Sequence, residues 1–86
     1  MKMLNIDFNI EDVQDIINYF SEDNTNSSYY ESERRSSLGK LALTLDTVCQ
    51  NINSENIEDM KRLIEKVAEA NRVIATSEIK SKANKD

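Results

Sequence analysis

Apolar residues recur in the first third of this chain with the spacing of one helical face. Between residues 10 and 21 they stand at the i, i+3, i+6, i+7 and i+10 positions, as Ile10, Val13, Ile16, Ile17 and Phe20. Because an α-helix has about 3.6 residues per turn, this set forms one apolar stripe. The pattern predicts a helix over about 10–21. The polar run "SEDNTNSS" that follows is typical of a loop.

A second apolar stripe predicts a helix over about 28–52. Its members follow one another at intervals of 3, 4, 3 and 4, as Leu38, Leu41, Leu45, Val48 and Ile52. This is the a/d spacing of a seam between two helices. The segment "LALTL" also alternates as a strand would, but the 3/4 spacing continues on both sides of it and therefore favours the helix.

The third stripe predicts a helix over about 54–80, which begins after the break "NINSEN" with Asn53 or Ser54 as its N-cap. The same 3/4 spacing places Ile57, Met60, Ile64, Val67, Asn71 and Ile74 on its seam, and Leu63, Ala70 and Val73 widen the stripe. A polar residue such as Asn71 on a seam can fix its register. The alternative is that the seam has opened at this point and Asn71 is hydrated.

The order of these stripes predicts an all-α fold. The short break between the second and third helices favours an antiparallel hairpin, with the first helix packed on it. Seams on both hairpin helices, Leu38–Ile52 and Ile57–Ile74, would also allow hairpins to associate, so we expect an oligomeric helical bundle.

The two ends of the chain have different patterns. Leu4, Ile6 and Phe8 alternate with polar residues, which favours an extended arm over 1–8 above a strand paired with a symmetry mate. Asn9 is suited to cap the first helix. Residues 81–86 contain no large apolar side chain, so we expect a single helical domain over 1–80 and a frayed tail.

Size and composition limit what this domain can do alone. With 86 residues, 38% of them hydrophobic, its core is close to the lower limit for independent folding. Cys49 is the single cysteine, so no internal disulfide can form, and we expect it to be an inert core thiol beside Val48. Association is the remaining source of stability. The sequence has neither a secretory leader nor a span of about 20 apolar residues, which predicts a cytoplasmic protein that does not enter a membrane.

The net charge of −5 is concentrated near the beginning of the chain. Residues 1–25 contain six acidic residues and one basic residue, whereas the remainder is balanced. Direct binding to nucleic acid is disfavoured, because displacement of counterions requires clustered Lys and Arg. We expect Glu11, Asp12 and Asp15 to face outward, and the favoured interpretation is a solvated face that maintains solubility. The alternative is a carboxylate array that imitates phosphates and contacts a basic protein partner, such as a nucleic-acid-binding enzyme.

Catalysis is not expected from this set of residues. The chain has no histidine, so the usual general base at neutral pH is absent and a Ser–His or Cys–His nucleophile cannot be assembled. One cysteine without histidine provides no zinc ligand set. The loop that begins at Asp23 lacks the glycine and the final glutamate of a calcium-binding loop. We therefore predict a protein that is not an enzyme and needs no cofactor or metal.

The stretch "SSYYESERRSSLGK" admits two interpretations. Ser27 or Ser28 can cap the second helix, which would bring helix N-terminal amides close to Tyr29, Tyr30, Arg34 and Arg35. Amides, a guanidinium and an aromatic ring together suit a phosphate-bearing ligand with a base. The favoured interpretation is that Tyr29 and Tyr30 cover the end of the hairpin or an oligomer contact.

These observations favour a small acidic interaction protein, such as an inhibitor or regulator that acts by stoichiometric binding. An accessory protein of a phage or mobile element has this character, and it would then act in the host cytoplasm. One alternative is a symmetric oligomer that sequesters a nucleotide-like ligand. The other is a structural assembly subunit.

Overall fold

The computed structural model describes residues 10–84, and in this range the regular structure is entirely helical, with no strand. It consists of α1 (Ile10–Ser21), α2 (Tyr30–Asn51) and α3 (Ile57–Asn84). The predicted all-α class is confirmed. The arm over 1–8 and the cap at Asn9 lie outside the described residues.

The helix bounds follow the predicted ones to within a few residues. α1 has the expected limits, and α2 begins two residues later than expected and ends one residue earlier. α3 begins and ends later, so the predicted frayed tail 81–86 begins inside this helix. The segment "IKSKAN" contains no helix-breaking residue, so the helix continues beyond the end of its apolar stripe.

Local hydrogen bonds explain where α1 ends. The Ser21 hydroxyl donates to the Ile17 carbonyl at 2.7 Å, and the Asn24 side-chain amide donates to the Tyr19 carbonyl at 2.6 Å. The Tyr19 carbonyl is one of the last four of the helix, which lack partners within it, so the Asn24 side chain replaces the missing donor. The polar loop then begins directly after Ser21.

α2 does not begin at the predicted cap. Tyr29 is the N-cap residue, and it has no side-chain capping bond. Ser27 still contributes, because its hydroxyl oxygen accepts a hydrogen bond from the Tyr29 amide at 3.1 Å. The predicted cap at Ser27 or Ser28 is therefore wrong by one or two positions.

α3 begins at a reciprocal turn between two asparagines. The Asn53 side-chain oxygen accepts hydrogen bonds from the Glu55 and Asn56 amides at 2.8 and 3.1 Å. The Asn56 side-chain oxygen accepts from the Asn53 amide at 2.8 Å. Because α3 begins at Ile57, the predicted N-cap at Asn53 or Ser54 lies two or three positions too early, and Asn53 instead caps the turn that precedes the helix.

The core lies where α3 packs against both other helices. α3 contacts α1 most extensively and α2 to a lesser extent. The buried apolar residues are Val13, Ile16, Ile17, Phe20, Tyr30, Leu41, Val48, Leu63, Val67, Ala70 and Ile74. This packing fits a helical bundle in which α3 is the shared partner.

The predicted seam is only partly buried. Leu41, Val48, Val67 and Ile74 are buried, and Leu38, Leu45, Met60 and Ile64 are half-buried against the core. Ile52 and Ile57, at the end near the α2–α3 connection, remain 38% and 42% exposed.

Asn71 is exposed, which agrees with the alternative that it is hydrated rather than buried in the seam. Ala70 and Ser77 are buried instead. These two residues lie on the side of α3 that α1 covers, as the hydrogen bond from Lys66 to Gln14 on α1 shows. Ala70 and Asn71 are about 100° apart around the helix, so the buried stripe on the α1 side includes Ala70 and not Asn71.

The beginning of α2 contacts the last third of α3. The Tyr30 and Ser77 hydroxyl oxygens are 2.6 Å apart, and Arg34 Nη1 lies 3.0 Å from Glu78 Oε2. The resulting structure is elongated, with extents of 53 × 18 × 17 Å.

Among residues 10–84, no helix combines the length and the apolar character that crossing a bilayer requires.

Candidate functional site

A groove of about 340 Å³ lies between α1 and α2. We call it the acidic groove, and it is lined by Asp12, Asp15, Ile16, Tyr19, Glu33, Ser37 and Lys40. Three of these side chains are carboxylic acids and one is an amine. The groove therefore has a net negative charge at neutral pH.

Helix geometry brings these residues together. The α1 residues Asp12, Asp15 and Tyr19 follow at i, i+3 and i+7, and the α2 residues Glu33, Ser37 and Lys40 follow at i, i+4 and i+7. Each set therefore forms one ridge along its helix. The groove is the space between the two ridges, since both helices pack primarily against α3 rather than against each other.

The floor of the groove is buried and its rim is open to solvent. Ile16 and Ser37 are buried, whereas Asp15, Glu33 and Lys40 are exposed and Asp12 is half-buried. The half-buried Tyr19 ring packs edge-on against Phe20, with ring centroids 4.8 Å apart and planes at 79°. A cation that enters the groove would meet carboxylates at the rim and an aromatic ring inside.

The predicted acidic face divides between the groove and the surface beside it. Asp12 and Asp15 line the groove, but Glu11 is exposed outside it. Glu33 was not among the predicted site residues, although it belongs to the same site. Its spacing from Ser37 and Lys40 shows that the three residues share one face of α2. The sequence alone does not show that this face lies beside α1.

The tyrosine–arginine stretch is held largely by internal contacts. Tyr30 is buried, its ring lies 5.8 Å from that of Phe20, and its hydroxyl bonds Ser77. Tyr29 is 71% exposed, and the Arg35 side chain is 77% exposed. The structure thus brings Tyr30 and Arg34 to the α2–α3 contact and leaves Tyr29 and Arg35 at the surface.

Arg34 is bound by two carboxylates. Its guanidinium forms an ion pair with Glu31 and a second one with Glu78, and its Nε donates to Glu31 Oε1 at 3.4 Å. Hydrogen bonding to Glu31, with the nearby charge of Glu78, raises the pKa of Arg34 above the usual arginine value, although burial opposes this. The guanidinium therefore remains charged and is already largely neutralised by its neighbours.

A second depression of about 440 Å³ lies between the end of α1 and α3. Its charged lining is mixed, with Arg72 and Lys80 facing Glu22, Asp23 and Glu69. Opposite charges in similar number favour neither an anion nor a cation, so this depression is a weaker candidate than the acidic groove.

Cys49 is exposed, so the prediction that it is a core thiol is wrong. It follows the buried Val48, but one residue along a helix is a rotation of about 100°, which places Cys49 beyond the buried edge. Within residues 10–84, no group of acidic or cysteine side chains has the arrangement of a metal site.

Comparison with protein-family models, curated proteins and solved structures finds no match to this chain.

Proposed function

We propose that this chain is a non-catalytic binding protein that receives a basic side chain of another protein in the acidic groove. The observation that supports this most directly is that three carboxylates, from Asp12, Asp15 and Glu33, line the same groove as the Tyr19 ring and a single amine, that of Lys40. Binding one to one would make the protein an inhibitor or a regulator of its partner.

Arginine fits the groove better than lysine does. Its planar guanidinium can bond two carboxylate oxygens at once and can stack on an aromatic face. Asp15 and Glu33 supply the carboxylates from opposite sides of the groove, and Tyr19 supplies the ring. The carboxylates are exposed, so salt would weaken the attraction, with screening over about 8 Å at physiological ionic strength.

Removal of two groove charges tests the proposal against a matched control. Asp15→Asn with Glu33→Gln removes two carboxylates from the groove, and Glu55→Gln with Glu65→Gln removes two exposed carboxylates elsewhere. Wild type and both double variants are immobilised and exposed to lysate of the native host at about 0.15 M salt. Bound proteins are then quantified by mass spectrometry.

We expect the wild type and E55Q/E65Q to capture the same partner and D15N/E33Q to lose it. Calorimetry with the purified partner should then show a loss of at least about tenfold in affinity, since two charge-assisted contacts disappear. Equal capture by all three proteins would contradict the groove as the binding site. Equal loss in both variants would show that only net charge matters.

The alternative of a phosphate-bearing ligand at the tyrosine–arginine stretch has less support. The Tyr30 ring is buried and Arg34 is paired with two carboxylates, so neither is available to a ligand without rearrangement. A rise in melting temperature with mononucleotides or cyclic nucleotides would favour this alternative over the acidic groove.

The antiparallel hairpin is part of the same proposal. Its support is the pair of contacts from Tyr30 to Ser77 and from Arg34 to Glu78, which join the start of α2 to the last third of α3. With α2 and α3 in this arrangement, α1 covers one side of the hairpin and leaves the other side open.

A further inference from the structure

The open side of the hairpin is the surface opposite α1. On α2, α1 lies nearest Glu33, Ser37 and Lys40, and on α3 it lies nearest Lys66 and Ser77. The residues on the other flank of the buried stripes face away from α1. We call this set the hairpin face: Leu38, Ala42, Leu45 and Cys49 on α2, and Ile64, Ala68, Asn71 and Ala75 on α3.

The hairpin face is apolar and without charge. Leu38, Leu45 and Ile64 are half-buried, and the other five residues are exposed and small or, in the case of Asn71, polar but neutral. Small residues allow a second pair of helices to approach closely, and the larger side chains between them would fill the contact. At its ends the face continues into Ile57 and into Ile79, which is 69% exposed.

The size of this surface matches what a stable dimer needs. From Ile57 to Ile79 the face is about 33 Å long, because each helical residue rises about 1.5 Å. With the 18 Å width of the molecule, this gives roughly 600 Å² per protomer. Two copies would bury about 1,200 Å² in total, which is the lower end of the range for specific stable interfaces.

The charges at the edges of the hairpin face favour a second copy over an unrelated partner. On α3, Lys61, Glu65 and Arg72 lie beside Ala68 on the outer edge, which gives this edge a net positive charge. On α2, Glu31 and Arg35 pair with each other at 4.0 Å, which leaves Asp46 as the unbalanced charge. A two-fold axis that lays α2 on the α3 of another copy brings the acidic edge to the basic edge twice. The acids of α1 remain on the far sides, where they do not repel each other.

We propose that the hairpin face pairs with the same face of a second copy, so that α2 of each protomer lies against α3 of the other. The dimer is a four-helix core with one α1 on each outer side. Association supplies the apolar burial that a small single core lacks. This interface is independent of the acidic groove, which stays open on the outer side of each protomer.

Charged substitutions in the centre of the face test the dimer. Ala68→Glu with Ala75→Glu places two carboxylates on exposed positions of the face, and glutamate is nearly as good a helix former as alanine. The matched control is Ser32→Glu with Ser36→Glu, two exposed positions on the outward side of α2. A third variant, Ala42→Glu, changes the α2 half of the face alone.

Light scattering after size exclusion, at micromolar concentration, should give twice the 9.9 kDa chain mass for the wild type and S32E/S36E. A68E/A75E and A42E should give the mass of one chain, with unchanged helical circular dichroism. Cys49 should react with a thiol reagent more slowly in the wild type than in A68E/A75E, because the dimer covers it. A monomeric wild type, whether its face is open or covered by residues 1–9 of the same chain, overturns the proposal. So does an oligomer whose mass neither face variant lowers.

Discussion

At the scale of single residues, the hydrogen bond between the Tyr30 and Ser77 hydroxyls stands out because both groups are buried. It joins positions 47 apart in the sequence, at an oxygen–oxygen distance of 2.6 Å. A buried polar group without a hydrogen-bond partner destabilises the fold, and each of these hydroxyls provides the partner that the other needs. Sequence periodicity locates such a pair poorly, because Ser77 does not count as an apolar position.

This pair can be tested with a double-mutant cycle. Tyr30→Phe leaves the Ser77 hydroxyl without a partner, and Ser77→Ala does the same to the Tyr30 hydroxyl. Each substitution should therefore lower the free energy of unfolding by about 1 kcal/mol. The double variant should cost less than the sum of the two, because no unpaired hydroxyl remains. Urea unfolding followed by circular dichroism measures all three. Additive losses would show that the two hydroxyls do not interact in solution.

At the scale of helices, the apolar periodicity predicted the number, type and approximate limits of all three. It succeeded best for α1, where four of the five stripe residues are buried. It was less informative for α2, because the a/d positions that continue the Leu41–Val48 line are occupied by the hydroxyl residues Ser37 and Thr44, both buried. The Thr44 hydroxyl donates a hydrogen bond to the Lys40 carbonyl of the same helix, at 2.8 Å.

What the sequence could not supply was the position of α1 around the hairpin. The side of α3 that α1 covers decides that Ala70 is buried and Asn71 is exposed. The same placement brings Asp12 and Asp15 on α1 and Glu33 on α2 to the two sides of one groove. Periodicity describes each helix by itself, and only the packing of one helix on another chooses between neighbouring residues.

The connection between α2 and α3 gives a prediction at this scale. Asn53→Ala should lower the free energy of unfolding by about 1 kcal/mol, because the Glu55 and Asn56 amides lose their acceptor. The neighbouring Ser54→Ala serves as the control, since Ser54 is exposed and has no side-chain hydrogen bond within the described residues. Thermal unfolding compares the two. A larger effect at Ser54 would place the cap at the other candidate.

At the scale of the whole molecule, stability depends on α3 as the element that both other helices share. Val67 lies in the middle of α3 and is completely buried. Val67→Ala should lower the free energy of unfolding by about 2 kcal/mol, through lost burial and the cavity left behind. Leu43→Ala, at an exposed position on α2, should change it by less than about 0.5 kcal/mol. Chemical denaturation measures both changes, provided that the m-value stays the same. A similar loss of unfolding free energy in the two variants would mean that Leu43 is covered in solution.

The place of α3 as the last helix also bears on how the chain emerges from the ribosome. Synthesis proceeds from the N-terminus, and α1 and α2 leave the exit tunnel before their common partner exists. Most of the stability of helices in proteins comes from tertiary packing, so neither α1 nor α2 is expected to be stable at that stage. A nascent chain that stops before α3 lacks the helix that both other helices pack against, and we expect the core to form only as α3 is synthesised.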